Sequence, residues 1–259
     1  MTAPDRRISA LPMTGTCPGF SVLRAAEDGR GSRAANTGSA VGRIIELWHR
    51  GHETDAALEE AMQGAAREAG EKWPDADLDE ANSLARSYAA DPRNRGVVVA
   101  DLCEREVRLV LPPAPEDPTG LPVELVGHVD QIRRVGGVLR VWDVKAGKPG
   151  GIEMLYSYAW QIAAYALAAT ATLGETVLPG GIIRLRGYGP RTSPEAAAVH
   201  FEAPWSHAQC NVMLATAVQE IAWLRAGLVH LRPGLHCMWC PGGGPHVCAG
   251  AIDRLDGDT

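Results

Sequence analysis

The stretch VELVGHVDQIRRVGGVLRVWDVKAGKPGGIEMLYSYAWQIAAY, residues 123–165, decides the fold of this chain. Its first nine residues alternate between apolar and polar positions, which is typical of an extended strand. Gly136-Gly137 supplies a tight turn, and Val138 to Lys145 alternates again as a return strand. The pattern predicts a β-hairpin with strands at 123–131 and 138–145.

Three charged side chains converge in this predicted hairpin. Asp143 and Lys145 lie on the same face of the return strand, at surface-facing positions, and Asp130 arrives from the partner strand. Two carboxylates this close repel each other unless a cation lies between them. Hard oxygen ligands suit Mg²⁺ or Mn²⁺, and the lysine is placed to hold or help deprotonate a water beside the metal. These residues predict a hydrolytic site for a phosphodiester.

Three motifs follow one another in this stretch: Gly127-His-Val-Asp130, Asp143-Val-Lys145 and Gln161-Ile-Ala-Ala-Tyr165. They resemble the GxxD, (D/E)xK and QxxxY motifs of PD-(D/E)XK nucleases of the RecB-like branch. The resemblance implies an α/β fold with a central mixed β-sheet flanked by helices, the restriction-endonuclease-like core. It also implies that the N- and C-terminal segments are joined at a metal cluster.

The same resemblance assigns roles to the charged residues. It implies that Asp130, Asp143 and the backbone carbonyl of Val144 bind the metal and that Lys145 is catalytic.

Four further residues are candidates for contact with DNA. The resemblance implies that Gln161 and Tyr165, which lie on one face of a helix predicted at 154–173, line the DNA path. Arg184 and Arg186 share one face of a strand predicted at 180–188. They either contact phosphates or keep an exposed edge strand soluble.

The first predicted helix, Thr37 to Arg50, has apolar residues at helical spacing, and Asn36 or Thr37 could cap it. In the resembled branch the corresponding helix often carries a histidine that is an additional metal ligand. Gly42 occupies that place here. Glu46 resembles the glutamate of a GxxxE variant and is the favoured substitute ligand, and His49, one turn beyond, is the other candidate.

The C-terminal cysteines are a metal-binding signal, because Cys237, Cys240 and Cys248 follow the spacing C-x2-C-x7-C. A tetrahedral or cuboidal site needs a fourth ligand. His236 or His246 would favour zinc, whereas Cys17 would favour an iron–sulfur cluster.

A resemblance to AddB-type, CRISPR-adaptation and phage-type exonucleases favours the cluster. It implies that one cysteine before the core, Cys17, and three after it hold a 4Fe-4S cluster, with Zn²⁺ as the alternative. We expect Cys103 and Cys210 to be buried core residues.

Length and composition predict one domain over residues 1–259, since 46% of the residues are hydrophobic. We divide it into four parts: an N-terminal cluster arm (1–36), a helical part (37–95), the core (96–203), and a C-terminal helix with the cysteine tail (204–259).

The formal net charge of −6 argues against a protein that coats nucleic acid by bulk electrostatics. No apolar run approaches the roughly 20 residues of a membrane span, and the N-terminus lacks the apolar core of a signal peptide. We therefore expect no membrane association and a cytoplasmic location.

Together these features predict a metal-dependent DNA nuclease, more specifically an exonuclease of recombination, repair or phage DNA metabolism, with a helicase or recombination protein as a possible partner. The glycine at position 42 raises an alternative, a catalytically impaired DNA-binding or assembly subunit that keeps the fold and the cluster. An RNA-processing enzyme is a third possibility, because the motifs act on phosphodiesters generally.

Overall fold

A computed structural model describes residues 7–12, 33–69, 75–146, 152–186 and 198–228. Within these ranges the chain has the expected α/β architecture, a mixed sheet flanked by helices. The α-helices are α1 (Arg33–Arg50), α2 (Asp55–Ala69), α3 (Asp75–Ala90), α4 (Glu153–Ser157), α5 (Ala159–Leu173) and α6 (His207–Arg225). The strands are β1 (Arg105–Leu111), β2 (Val123–Val129), β3 (Gln131–Val135), β4 (Val138–Ala146), β5 (Val177–Leu185) and β6 (Ala198–Glu202).

The four-stranded sheet has the order β3-β4-β5-β6, with β4 and β5 parallel and the other pairs antiparallel. The predicted hairpin turn is confirmed: Gly136 and Gly137 have φ values of 58° and 81°, which residues other than glycine rarely adopt. The predicted single strand over 123–131 is wrong. The chain bends at Asp130, so β2 pairs with β1 in a separate two-stranded ladder while β3 pairs with β4.

Two apolar cores cover the two faces of the sheet. Strand β5 shows why, because neighbouring residues of a strand point to opposite faces: Ile182 packs in one core and Ile183 in the other. Helices α5 and α6 belong to the first core, together with residues of β1 and β2. Helices α1, α2 and α3 form the second core.

Helix α1 has the predicted apolar face. The four residues at the helical spacing are all buried: Val41, Ile44, Ile45 and Trp48. The helix begins at Arg33, however, so Asn36 and Thr37 lie inside it and neither is its cap. The predicted end at Arg50 is confirmed.

Other bounds differ from the predicted ones by a few residues. The helix predicted at 154–173 is interrupted at Tyr158, where α4 gives way to α5. The strand predicted at 180–188 is β5, which begins at Val177, ends at Leu185 and pairs with β6. The last helix begins after Ser206, whose side chain and that of Gln209 form a reciprocal capping box.

The two core cysteines are buried as expected, Cys103 and Cys210. None of the helices in the described ranges is both long enough and apolar enough to cross a lipid bilayer.

Candidate active site

Three acidic residues occupy neighbouring positions across three strand segments. The first residue of β1, Arg105, pairs with Val129, and the first residue of β3, Gln131, pairs with Trp142. Asp130 connects β2 to β3. It therefore has Glu104 as its neighbour on one side and Asp143 on the other. Two hydrogen bonds connect these segments at Asp130. The backbone N–H of Glu104 donates to the carbonyl oxygen of Asp130 at 3.2 Å, and the N–H of Val144 donates to Asp130 Oδ2 at 2.7 Å.

Lys145 neutralises this acidic row from the end of β4. Its Nζ atom lies 2.7 Å from Asp143 Oδ2 and 4.6 Å from the centre of the Tyr158 ring. Burial acts to lower the pKa of Lys145, but the carboxylates of Asp143 and Asp130 outweigh it and raise the pKa above its ordinary value. Lys145 is therefore an ammonium at neutral pH and acts as an N–H donor. The expectation that it helps to deprotonate a water beside a bound metal stays a prediction.

Ionisation of the two aspartates is unfavourable in this environment. Burial raises the pKa of Asp130 well above its usual value and the charge of Asp143 raises it further, although Lys145 opposes both effects. Burial also raises the pKa of Asp143, against the effect of Lys145. Asp143 is only 2% exposed, so the expectation of a surface-facing position is wrong: it shares a face of β4 with Leu139 and Val141, which pack in the first core, and Gln161 of α5 contacts it there. Such a concentration of buried negative charge favours a bound cation.

Gln161 and Tyr165 lie behind the carboxylates. Gln161 Nε2 donates to Asp143 Oδ1 at 2.9 Å. Tyr165 packs against Gly127, where a Cβ atom would lie 3.0 Å from Tyr165 Cε1. Both side chains are buried, so the structure does not place them on an exposed DNA path as expected; Gln161 instead orients Asp143 from behind.

The two candidate arginines have different environments. β5 lies between β4 and β6, so it is not an edge strand, and Arg184 is 1% exposed with its guanidinium 5.9 Å from the centre of the Phe201 ring. A phosphate cannot reach a side chain at this depth without rearrangement. Arg186 follows the end of β5 and is exposed.

The two candidate ligands of α1 are bound to other partners. Both carboxylate oxygens of Glu46 form ion pairs, with Arg43 at 2.7 Å and Arg50 at 2.8 Å. His49 Nδ1 lies 2.7 Å from Glu53 Oε1, and its Nε2 lies 2.8 Å from the hydroxyl of Tyr88. The candidate ligating atoms of Glu46 and His49 are thus engaged by these partners, and their role as metal ligands stays a prediction.

Glu104 is the residue that the sequence motifs miss. Burial raises its pKa to about 7, and the charges of Glu46 and Asp143 contribute to the increase. The signal that identifies it is the strand register, which places it opposite Asp130. Register depends on pairing between distant segments, and the alternation within one segment does not reveal it.

The donor set fits a magnesium or manganese ion. Across the described ranges no three His, Cys, Asp or Glu side chains are already grouped around one metal position. Mg²⁺ needs no such cage, because proteins commonly hold it through one or two carboxylates together with water and substrate phosphates. Asp130 and Asp143 supply those carboxylates, and beside them the buried Oε1 atom of Gln161 has no hydrogen-bond partner.

The predicted iron–sulfur or zinc ligands lie outside the described residues. These are Cys17, His236, Cys237, Cys240, His246 and Cys248. The cluster that would join the two ends of the chain stays a prediction.

Comparison with known proteins gives one family. The model of the PD-(D/E)XK nuclease superfamily matches residues 19–244. Among solved structures, the one titled "Crystal structure of SSO0001" is similar over 82% of this chain and 84% of that chain, with 14% sequence identity and a TM-score of 0.39. No curated protein matches the chain.

Proposed function

The chain belongs to the PD-(D/E)XK nuclease superfamily, and from this premise we propose that it hydrolyses DNA phosphodiester bonds with Mg²⁺ or Mn²⁺ held by Asp130 and Asp143. One observation carries the proposal: the carboxylates of Asp130 and Asp143 lie side by side at the Val144 N–H and the Lys145 ammonium, where burial raises the pKa of both aspartates and the charge of Asp143 raises that of Asp130 further. A protein gains no stability from burying two carboxylates beside each other, so a role in binding a cation accounts for them best.

The proposed metal site consists of residues that bind the metal and residues that orient them. Asp130, Asp143 and the carbonyl of Val144 would hold the metal, which when bound supplies Lewis-acid stabilisation of the phosphodiester oxygens. The N–H of Val144 fixes one oxygen of Asp130, and the amide of Gln161 fixes one oxygen of Asp143, so both carboxylates are oriented before substrate arrives.

Lys145 provides the positive charge on the chain itself. Its ammonium, held by Asp143 and lying over the ring of Tyr158, has N–H donors with which to orient an attacking water and stabilise the charge that develops on the phosphate. Exposed Arg186, close along the chain to the end of β5, is the better of the two candidate arginines for contact with the DNA backbone.

The finer assignment rests on the motifs. The order of GxxD, DxK and QxxxY supports the RecB-like branch, and with it an exonuclease of recombination, repair or phage DNA metabolism that works beside a helicase or recombination protein. The four cysteines support a 4Fe-4S cluster.

The test is a digestion assay with protein purified without oxygen. Labelled single-stranded and double-stranded DNA, linear and circular, is incubated with Mg²⁺, with Mn²⁺ or with a chelator. Cleavage that requires the divalent metal and a free DNA end supports an exonuclease. Cleavage of circular DNA would instead make the protein an endonuclease, and an RNA substrate run in parallel tests the third possibility.

A second candidate function is a DNA-binding or assembly subunit that has lost cleavage. It is favoured by Gly42, which offers no side chain to a metal, and by the partners that already bind Glu46 and His49. Metal-independent DNA binding without cleavage of any of these substrates would support it.

A further inference from the structure

We infer that Glu104 is a third acidic metal ligand of this site and occupies the space that the missing side chain at Gly42 leaves. The inference rests on the proposed function and adds to it a residue that none of the three sequence motifs contains.

The first step is position. The Glu104 N–H donates to the Asp130 carbonyl at 3.2 Å, and the β1–β2 register places Glu104 opposite Asp130. Asp143 lies opposite Asp130 on the other side. Along the backbone Glu104 therefore stands next to the pair of aspartates; the three side chains are not grouped around one position in the part of the chain that the structure describes, so a bound metal would have to draw them together.

The second step is the space beside Gly42. A Cβ atom at Gly42 would lie 3.2 Å from Glu104 Oε1, which is tighter than ordinary van der Waals contact. The carboxylate of Glu104 thus fills the volume that a side chain on α1 would occupy. A glycine at position 42 and a glutamate at position 104 are complementary in space.

The third step is availability. Both oxygens of Glu46 are bound by arginines, whereas the carboxylate of Glu104 forms no hydrogen bond or ion pair with any residue that the structure describes. The charge of Arg43 stabilises this half-exposed carboxylate only in part, because the charges of Glu46 and Asp143 oppose it, and a metal ion would offset that repulsion.

The fourth step is the backbone. Glu104 has a φ of 50°, a left-handed conformation that costs a residue with a side chain about 1 kcal/mol or more. Glycine would relieve that cost. A strained glutamate at this position is consistent with a functional role of its carboxylate.

An independent observation points to a ligand beside Asp143. Gln161 is 2% exposed and its Nε2 donates to Asp143, yet its buried Oε1 has no hydrogen-bond partner. An acceptor left open beside the carboxylates fits a hydrated cation, since the metal-bound water can donate to it.

The experiment measures Mn²⁺ binding directly by isothermal titration calorimetry on the full-length protein, together with DNA cleavage. The variants are Glu104→Gln, which keeps the shape and removes the charge, and Glu104→Gly, which removes the side chain and relieves the backbone. Glu106→Gln is the matched control, because Glu106 is two residues away on β1 and its side chain is largely exposed. We expect both Glu104 variants to weaken Mn²⁺ binding by roughly 10–100-fold, and the control to match the wild type.

A stability measurement keeps the test valid if one variant folds poorly. Without metal, Glu104→Gly should unfold at a temperature equal to or above that of the wild type, and Mn²⁺ should stabilise it less. A residue with a purely structural role would show the opposite, a lower unfolding temperature with an unchanged response to Mn²⁺.

The outcomes separate the two proposals. If the wild type binds Mn²⁺ and cleaves DNA and both Glu104 variants bind Mn²⁺ equally tightly, Glu104 is not a ligand and the proposed function stands. Equal weakening of Mn²⁺ binding in Glu104→Gln and Glu106→Gln would mean that the loss of any nearby negative charge causes the effect. That result would also overturn the assignment. A wild type that neither binds Mn²⁺ nor cleaves DNA removes the proposed function itself.

Discussion

At the scale of single residues, the ion pair of Asp143 and Lys145 is the centre of the site. Each side chain compensates for the burial of the other, since the carboxylate raises the pKa of the ammonium and the ammonium opposes the rise in the pKa of the carboxylate. The two residues nevertheless have different proposed roles. Asp143 would bind the metal, while Lys145 would act on the substrate.

A substitution at Lys145 separates these roles. Lys145→Met should lower the rate of cleavage by roughly 10²–10³-fold, because a positioned positive charge is lost from the transition state. Mn²⁺ affinity should be equal or higher, since the ammonium no longer repels the cation. Single-turnover cleavage and calorimetry measure the two quantities, and a Lys145→Met protein that loses Mn²⁺ affinity would contradict this division of roles.

A second prediction at this scale concerns His200 and acid stability. Burial lowers the pKa of His200 to about 4, the charges of Arg133 and Arg93 add to the effect, and Asp91 opposes it. The unfolded chain therefore takes up a proton between pH 6.5 and about 4 that the folded protein does not, so stability present above pH 6.5 is lost as the pH falls through this window. The contribution is at most about 1.4 kcal/mol per pH unit.

The measurement is urea unfolding from pH 7 to pH 4, compared between the wild type and His200→Gln. The variant should lose less stability over this range. The comparison with the wild type is necessary because the raised pKa values of Asp130, Asp143 and Glu104 act with the opposite sign. Identical pH profiles for the two proteins would contradict the lowered pKa of His200.

Residues tied to a local motif were predictable from sequence, and residues defined by distant partners were not. The positions of Asp143 and Lys145 on one strand follow from alternation alone. The burial of Arg184 and the location of Glu104 depend on which strands become neighbours, and alternation does not encode that.

At the scale of secondary structure, the parallel pair β4 and β5 sets the position of the acidic row. Its register shifts between Val141 and Trp142, where Gly180 is an extra residue on β5. Bulges of this kind redirect side chains and are common beside active sites. Here the bulge lies one residue before Asp143.

Glycine is required at this bulge. Gly181 has a φ of 150°, and a Cβ atom there would clash with the carbonyl oxygen of Phe201 on β6. Gly181→Ala should therefore destabilise the protein by about 1–3 kcal/mol, as measured by urea unfolding. Gly38→Ala is the control: no atom lies within 4 Å of its added Cβ, and alanine in a helix should stabilise by up to about 1 kcal/mol. Equal effects of the two substitutions would contradict the packing described for the bulge.

The bend at Asp130 shows what the sequence could not reveal about the elements. Alternation runs through 123–131 without interruption, so the sequence predicts one strand. The chain changes its hydrogen-bonding partner at Asp130, from β1 to β4, and this change is a property of the assembled sheet. The helices were easier to predict, since the apolar face of α1 is visible in its own sequence.

At the scale of the whole molecule, the proposed cluster would link residues near the two ends of the chain. Closing so long a loop constrains the unfolded state strongly, and metal binding of this kind contributes directly to folding. Protein purified without oxygen should contain about four irons per chain.

Substitution of the cysteines tests this prediction. Cys17→Ala should lose the iron and the brown colour and should unfold at a lower temperature. Cys210→Ala is the control, because Cys210 is buried against the first core. One equivalent of zinc and no iron in the wild-type protein would replace the cluster with a zinc site, with His236 or His246 in place of Cys17.

The most direct test of the central claim compares cleavage by the wild type and by Asp143→Asn, which keeps the shape of the side chain and removes its charge. Both proteins are purified in the same way, and circular dichroism confirms that both are folded. With Mg²⁺ or Mn²⁺ present, the wild type should cleave end-labelled DNA, and Asp143→Asn should lose cleavage by roughly 10²-fold or more. Equal cleavage by the two folded proteins would contradict the assignment of the active site.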